Sequence, residues 1–202
     1  MKHYFIGSCV VVIGMILALF FKESHFYTFF SVGLFIIFLE IYKHLVHKTL
    51  FARWSPTEHA VFWVVLLVAS ILIDILGLRL GYWQYPNYVT TLDTIVKFIF
   101  EWCIALMYVT LSFFIGVAIF KKHKVRAWLA YVGSLVIFVI PMGLITEFFN
   151  HSGQSWIITS MPFSDYAIHG YYVVFQTIGY WIMALIPWII YKAVIHFQKR
   201  FS

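Results

Sequence analysis

Charge is what this chain lacks. Only 11% of its 202 residues are Asp, Glu, Lys or Arg, against 63% hydrophobic and 21% aromatic. A water-facing surface cannot be built from so few charges, which excludes a soluble domain. Cysteine is equally scarce: Cys9 and Cys103 both fall inside apolar runs. Their spacing suits neither a disulfide nor a metal site, and small apolar filler is the expected role of both. No glycine-rich phosphate loop, nucleophile elbow, Cys-x-x-Cys pair or zinc-protease motif is present. Basic residues are in excess, giving a formal charge of +6, but no soluble face exists on which they could meet nucleic acid.

What the chain has is apolar length. Runs long enough to cross ~30 Å of hydrocarbon at ~1.5 Å per residue extend over Tyr4 to Phe21, Tyr27 to Val46, His59 to Leu80, Leu92 to Phe120, Ala127 to Phe149 and Tyr166 to Ile195. The expected fold is an all-α membrane protein, a single integral domain over residues 1–202 with six transmembrane helices arranged as three in-out hairpins. Eleven of the fourteen basic residues (Lys2, Lys43, Lys48, Arg53, Lys121, Lys122, Lys124, Arg126, Lys192, Lys199 and Arg200) share one side if the first helix runs outward; Lys22, Arg79 and Lys97 lie opposite. Cytoplasmic loops carry such an excess, so both termini are expected in the cytoplasm and the protein in the plasma membrane. The segment Met1 to Phe21 has the basic end and apolar core of a secretory signal, yet no small-x-small cleavage site follows, and it is expected to stay as a helix. Before the third helix, Ser55, Pro56 and Glu58 read as an N-cap, a first helical proline and the partner of a capping box.

Three acids interrupt the apolar runs: Asp74, Glu101 and Glu147. A carboxylate at bilayer depth costs ~2.5 kcal/mol or more on insertion scales, so each marks a candidate site. Two of them expose an internal repeat. Asp74 precedes Trp83 by nine residues and Glu147 precedes Trp156 by nine, with Gly81 and Gly153 just before each tryptophan. Helices three and four then match helices five and six as a parallel repeat. Counting from the outer helix ends puts all three acids in one layer. Glu101 shares a helical face with Ala105, Tyr108, Ser112 and Gly116, a small and polar stripe that should face protein instead of lipid. Pro141 should bend the fifth helix beside Gly143, just before Glu147.

The stretch from Asp74 through Gly81, Trp83 and Tyr85, followed eighteen residues after Trp83 by Glu101, resembles the repeated unit of the small multi-pass lycopene cyclase domain family. The resemblance covers about Val65 to Ile115, and less fully Glu147 to Trp156. It implies a pocket for an isoprenoid chain, acids that protonate a double bond and aromatic rings around the resulting cation. The chain departs from that pattern in two places. Where the family has Leu-Pro before a Glu-Glu pair, this sequence reads Phe98-Ile99-Phe100-Glu101-Trp102, and eighteen residues after Trp156 stands Val174, with only Gln176 nearby. As a whole the chain is also similar to uncharacterised multi-pass proteins of spore-forming Gram-positive bacteria, a likeness that carries no activity.

Taken together, these features point to an outward-facing acidic and aromatic pocket for an isoprenoid or other membrane lipid, with cyclase-like acid catalysis as its chemistry. Asp74, Glu101 and Glu147 are the candidate acids, because burial would keep one protonated and able to act on an alkene. Trp83, Tyr85, Trp102, Tyr108, Trp156 and Gln176 are the candidate substrate contacts, the rings stabilising a cation by roughly 0.5 to 2 kcal/mol each. The scheme needs no cofactor and no metal, although His151 and His169 could approach Glu147. The competing account has Arg79 neutralise Asp74 and Lys97 pair with Glu101 one turn away. Trp83, Tyr85, Trp156 and Tyr166 would then be an interfacial belt, and the cluster of Glu40, His44 and His47 a solvated helix end. The protein would be a non-catalytic, homo-oligomeric envelope component or a proton-coupled transporter.

Overall fold

The computed structural model describes residues 2–52, 54–160 and 173–201. Six helices in it are long and apolar enough to cross a membrane. They are α1 (Lys2–Phe21), α2 (Phe26–Val46), α3 (Pro56–Arg79), α4 (Thr91–Lys122), α5 (Ala127–Gly153) and α6 (Val173–Phe201, its apolar span being Thr177–His196). The apolar runs of the sequence fall on these helices with ends displaced by about a turn. The expected start of the sixth helix at Tyr166 lies outside the described residues, as do Arg53, Asp165 and His169.

Local signals set the helix ends. Ser55 Oγ accepts from the Glu58 amide at 3.3 Å while Glu58 Oε2 accepts from the Ser55 amide at 2.6 Å, the expected capping box, with Pro56 as the first helical residue. A second box at α4, between Thr90 and Asp93, starts that helix one residue before the expected Leu92. Gly81 turns the chain out of α3 with φ +68°, a left-handed conformation that side chains disfavour.

α4 is the hub of the bundle, and α2, α3, α5 and α6 all pack on it. Its residues from Ala105 to Phe113 are buried on every side, so the expected stripe of Glu101, Ala105, Tyr108, Ser112 and Gly116 is buried together with its neighbours. α1 lies outside this ring, against α2 and the far part of α5. Its backbone approaches α2 closely enough that a Cβ at Gly33 would stand 2.7 Å from the Val11 nitrogen.

Both inner prolines sit where the ladder is relieved. A widened turn over Leu135–Val139 immediately precedes Pro141, which has no N–H to donate. Pro187 deprives the Met183 carbonyl of its helical partner. Thr110 of α4 brings its hydroxyl to 3.0 Å from the Ala184 carbonyl and 3.5 Å from that of Met183.

The α3–α4 and α5–α6 connections join to each other. β1 (Trp83–Gln84) pairs antiparallel with β2 (Ile157–Ile158), Trp83 opposite Ile158. Thr159 adds hydrogen bonds from its hydroxyl to Gly81 O at 2.6 Å and from its amide to Tyr82 O at 3.0 Å. Asn150, at the end of α5, holds Trp156 by its carbonyl and amide at 3.0 and 3.3 Å. The α3–α4 loop and residues 154–160 of the α5–α6 loop are thus tied together at one end of the bundle.

Candidate functional site

Gly77 makes the first part of the site. With no side chain there, the Trp83 indole lies directly on α3: a Cβ at Gly77 would stand 2.0 Å from its Cζ2. The indole nitrogen consequently reaches back along the helix and donates to Asp74 Oδ1 at 3.1 Å, and the Tyr85 hydroxyl donates to the same oxygen at 2.6 Å. Asp74 Oδ2 takes Lys97 Nζ at 3.0 Å. That ammonium also stands 4.0 Å from the centroid of the Tyr85 ring, a cation–π contact. Trp102 completes the knot by donating its indole N–H to the Tyr85 oxygen at 2.8 Å. Burial, and then the Asp74 charge, hold the Tyr85 phenol well above the ordinary tyrosine range, so it stays a donor.

Lys97 and Glu101 both lie in a widened turn of α4, Lys97–Cys103, yet they serve different neighbours. Lys97 turns to α3, and Glu101 turns to α2 and the loop. Thr28 Oγ1 donates to Glu101 Oε1 at 2.8 Å, and the Tyr88 hydroxyl donates to Oε2. His25 brings Nδ1 to 3.9 Å from Glu101 Oε1 and Nε2 to 3.4 Å from Asp93 Oδ1. Burial followed by the Glu101 charge pushes the Tyr88 phenol upward too. The pairing expected between Lys97 and Glu101 gives way to these contacts, and Arg79, exposed at the end of α3, leaves Asp74 to Lys97.

The third acid stands on α5. Glu147 Oε1 accepts from Tyr180 of α6 at 3.0 Å. Next to it the Tyr108 hydroxyl lies 2.9 Å from both Thr146 Oγ1 and the Tyr27 hydroxyl, so α2, α4 and α5 share one buried hydroxyl chain. Gly143 permits this approach, since a Cβ there would meet the Tyr180 ring at 2.5 Å.

These three groups surround a cavity of about 350 Å³. Glu101 and Glu147 are both on its wall, together with Tyr27 of α2 and Tyr180 of α6. Trp83, Tyr85, Trp102 and Trp156 supply the aromatic side, and Ile73, Leu76, Ile182 and Met183 the aliphatic side. Of the sequence candidates, six therefore meet at one space. Asp74 and Tyr108 stand behind it, fully buried: Asp74 anchors Trp83 and Tyr85, and Tyr108 links Tyr27 to Thr146. The side chain of Gln176 lies outside the described set. Trp83 and Tyr85 direct their polar atoms to Asp74, and Trp156 packs its ring on Tyr27; Tyr166, the fourth residue of the expected belt, lies outside the described residues.

Thr28, Tyr27, Tyr88, His25 and Tyr180 complete the site without having been expected from sequence. Tyr27 and Thr28 meet α4 across more than seventy positions, and no local spacing announces such a contact. Among the described residues no three His, Cys, Asp or Glu side chains converge as metal ligands. No family model, curated protein or solved structure matches the chain.

Proposed function

We propose that the chain is a plasma-membrane protein, with both termini cytoplasmic, that holds an isoprenoid or other lipid in an outward-facing cavity. One observation carries this reading: a space of about 350 Å³ walled by tryptophan, tyrosine and aliphatic side chains, with the carboxyl groups of Glu101 and Glu147 as its acidic features. Cavities of roughly 300 to 1,000 Å³ with few, convergent polar groups are the usual form of small-molecule sites. The resemblance of Val65 to Ile115 to the lycopene cyclase domain supports the same ligand class. The basic bias of one set of loops supports the orientation.

The pairing of β1 with β2 supports a further element of the proposal. An antiparallel pair has a local two-fold axis, and here it joins the tips of the α3–α4 and α5–α6 hairpins. A parallel repeat of those hairpins about an axis near the membrane normal would place its axis there, with the cavity beside it.

Two carboxyls on one apolar wall favour acid–base chemistry over mere storage. In a cyclase-like isomerisation the Glu147 carboxyl gives its proton to an alkene carbon. The π pair forms the new C–H bond and the adjacent carbon becomes cationic; a second double bond of the same chain gives its π pair to that carbon, closing the ring and moving the cation, and loss of a proton from the new cation to a carboxylate restores a double bond. Substrate and product are isomers, so no cofactor is consumed. Trp83, Trp102 and Trp156 would face the cation. The ion pair of Asp74 with Lys97 favours a positioning role for that third acid.

The test is mass spectrometry of lipids co-purifying with the protein in mild detergent. A lipid enriched over the bulk membrane extract, and depleted by Trp156→Ala, is the expected result. A bound fraction identical to the bulk extract rejects the reading.

A further inference from the structure

The cavity has a side as well as a wall. Leu76 of α3 and Ile182 of α6 both line it, yet 59% and 50% of their surfaces are exposed. On helices long and apolar enough to cross a membrane, that exposure faces hydrocarbon. At their other ends α3 and α6 close against each other through a shared core with Phe62, Leu66 and Val194. The two helices therefore converge below and leave the cavity bounded, at the level of Gly77 and Gly179, by side chains that also touch lipid.

The electrostatics of the interior are one-sided. Among the described residues on the wall two are carboxyls, Glu101 and Glu147, and none is Lys, Arg or His. Lys97 stands behind Tyr85 and is already committed to Asp74 at 3.0 Å, and His25, off the wall, is held between Glu101 and Asp93 at 3.9 and 3.4 Å. A phosphate or diphosphate placed here would be desolvated beside two acids with no Lys or Arg among the described wall residues to neutralise it, whereas a hydroxyl or amine would find carboxyl and phenol partners.

We propose that the cavity is filled sideways from the bilayer, through the gap between α3 and α6, by a lipid whose polar end carries no negative charge. This rests on the reading of the cavity as a lipid site and narrows it. The ligand is an uncharged or cationic amphiphile, such as a prenyl alcohol, whose tail stays in continuity with the hydrocarbon while its head meets Glu101 and Glu147. Phospholipids and prenyl diphosphates are excluded, although they share the same tails.

The experiment uses the full chain in phosphatidylcholine nanodiscs, with geranylgeraniol and geranylgeranyl diphosphate as probes and native mass spectrometry as readout. The alcohol is expected to bind at least about tenfold more tightly than the diphosphate, and Glu101→Gln with Glu147→Gln together should narrow that ratio. Leu76→Trp with Ile182→Trp, both at lipid-exposed positions, should slow loading of the alcohol about tenfold while leaving the melting temperature unchanged. A diphosphate bound as tightly as the alcohol overturns the inference alone, as does unchanged loading in the tryptophan variant. Binding of neither probe overturns the lipid reading itself and this inference with it.

Discussion

Lys97 on α4 sets its ammonium 3.0 Å from the Asp74 carboxylate on α3, and both side chains are buried. Each charge in such a pair is tolerable only because of the other; removal of one partner leaves an uncompensated ion, at a cost of roughly 3 to 5 kcal/mol. Lys97→Met should therefore lower the melting temperature sharply, and adding Asp74→Asn should restore most of the loss. A thermal melt of the two singles and the double in one detergent reads this directly. Equal stability of Lys97→Met and the parent would mean that the pair contributes nothing.

That pair also marks the limit of what the sequence discloses. The six helices follow from apolar run length, and the start of α3 follows from Ser55, Pro56 and Glu58, because those signals are local. The partner of Asp74 is not local: Arg79 lies one helical turn away and Lys97 23 residues on, and only the packing of α3 on α4 decides for Lys97. Likewise the acids of the site stand out as interruptions of apolar runs, and Trp83 and Trp156 by their equal spacing from Asp74 and Glu147, whereas Thr28 and Tyr180 look like ordinary members of their helices. Periodicity identified the buried face of α4 but could not foresee that the whole helix is enclosed, since a helix apolar all round looks the same in lipid and in protein.

Gly77 gives the most local test of the site. Alanine there would place its Cβ 2.0 Å from Trp83 Cζ2, which forces the indole off α3 and breaks its bond to Asp74. Gly77→Ala should destabilise by roughly 1 to 3 kcal/mol as an overpacking change. In a Trp83→Leu background the same substitution should cost little. Additive effects in that double-mutant cycle, measured by thermal melting, would show that the ring does not rest on Gly77.

Tyr85 and Tyr88 make stability fall at alkaline pH. Both phenols are raised above the ordinary 10.0, by burial first and then by Asp74 and Glu101 respectively. The unfolded chain loses these protons near pH 10 while the folded chain keeps them, so their contribution is complete below that pH and is lost as pH rises beyond it, at up to ~1.4 kcal/mol per pH unit for each group. Melting temperatures should hold level to about pH 9 and then decline, and Tyr85→Phe or Tyr88→Phe should flatten the decline while lowering the plateau. An alkaline slope identical in parent and variants would assign it to other groups.

Orientation is open to a simple measurement. Eleven of the fourteen basic residues gather on one side under the expected threading. Alkaline phosphatase fused after Ser202 should be inactive, and fused within residues 150–160 it should be active. The reverse pattern would turn the cavity toward the cytoplasm.

The two wall acids should answer differently to the same substitution. Glu101 has a donor on each oxygen, Thr28 on one and Tyr88 on the other, and through them it ties α2 and the β1 loop to α4. An amide there must turn an N–H₂ toward one of those hydroxyls, so Glu101→Gln should cost about 1 to 3 kcal/mol of stability. Glu147 accepts from Tyr180 on one oxygen and faces the cavity. Glutamine there keeps the shape and an acceptor for Tyr180 but has no acidic proton to give. Glu147→Gln should melt close to the parent, still bind lipid and lose turnover of an alkene substrate by two orders of magnitude or more, the usual scale of general acid catalysis at ~10² to 10⁴. Retained turnover in Glu147→Gln would remove it as the acid, and a melt of Glu101→Gln unchanged from the parent would remove Glu101 as the tie between α2 and α4.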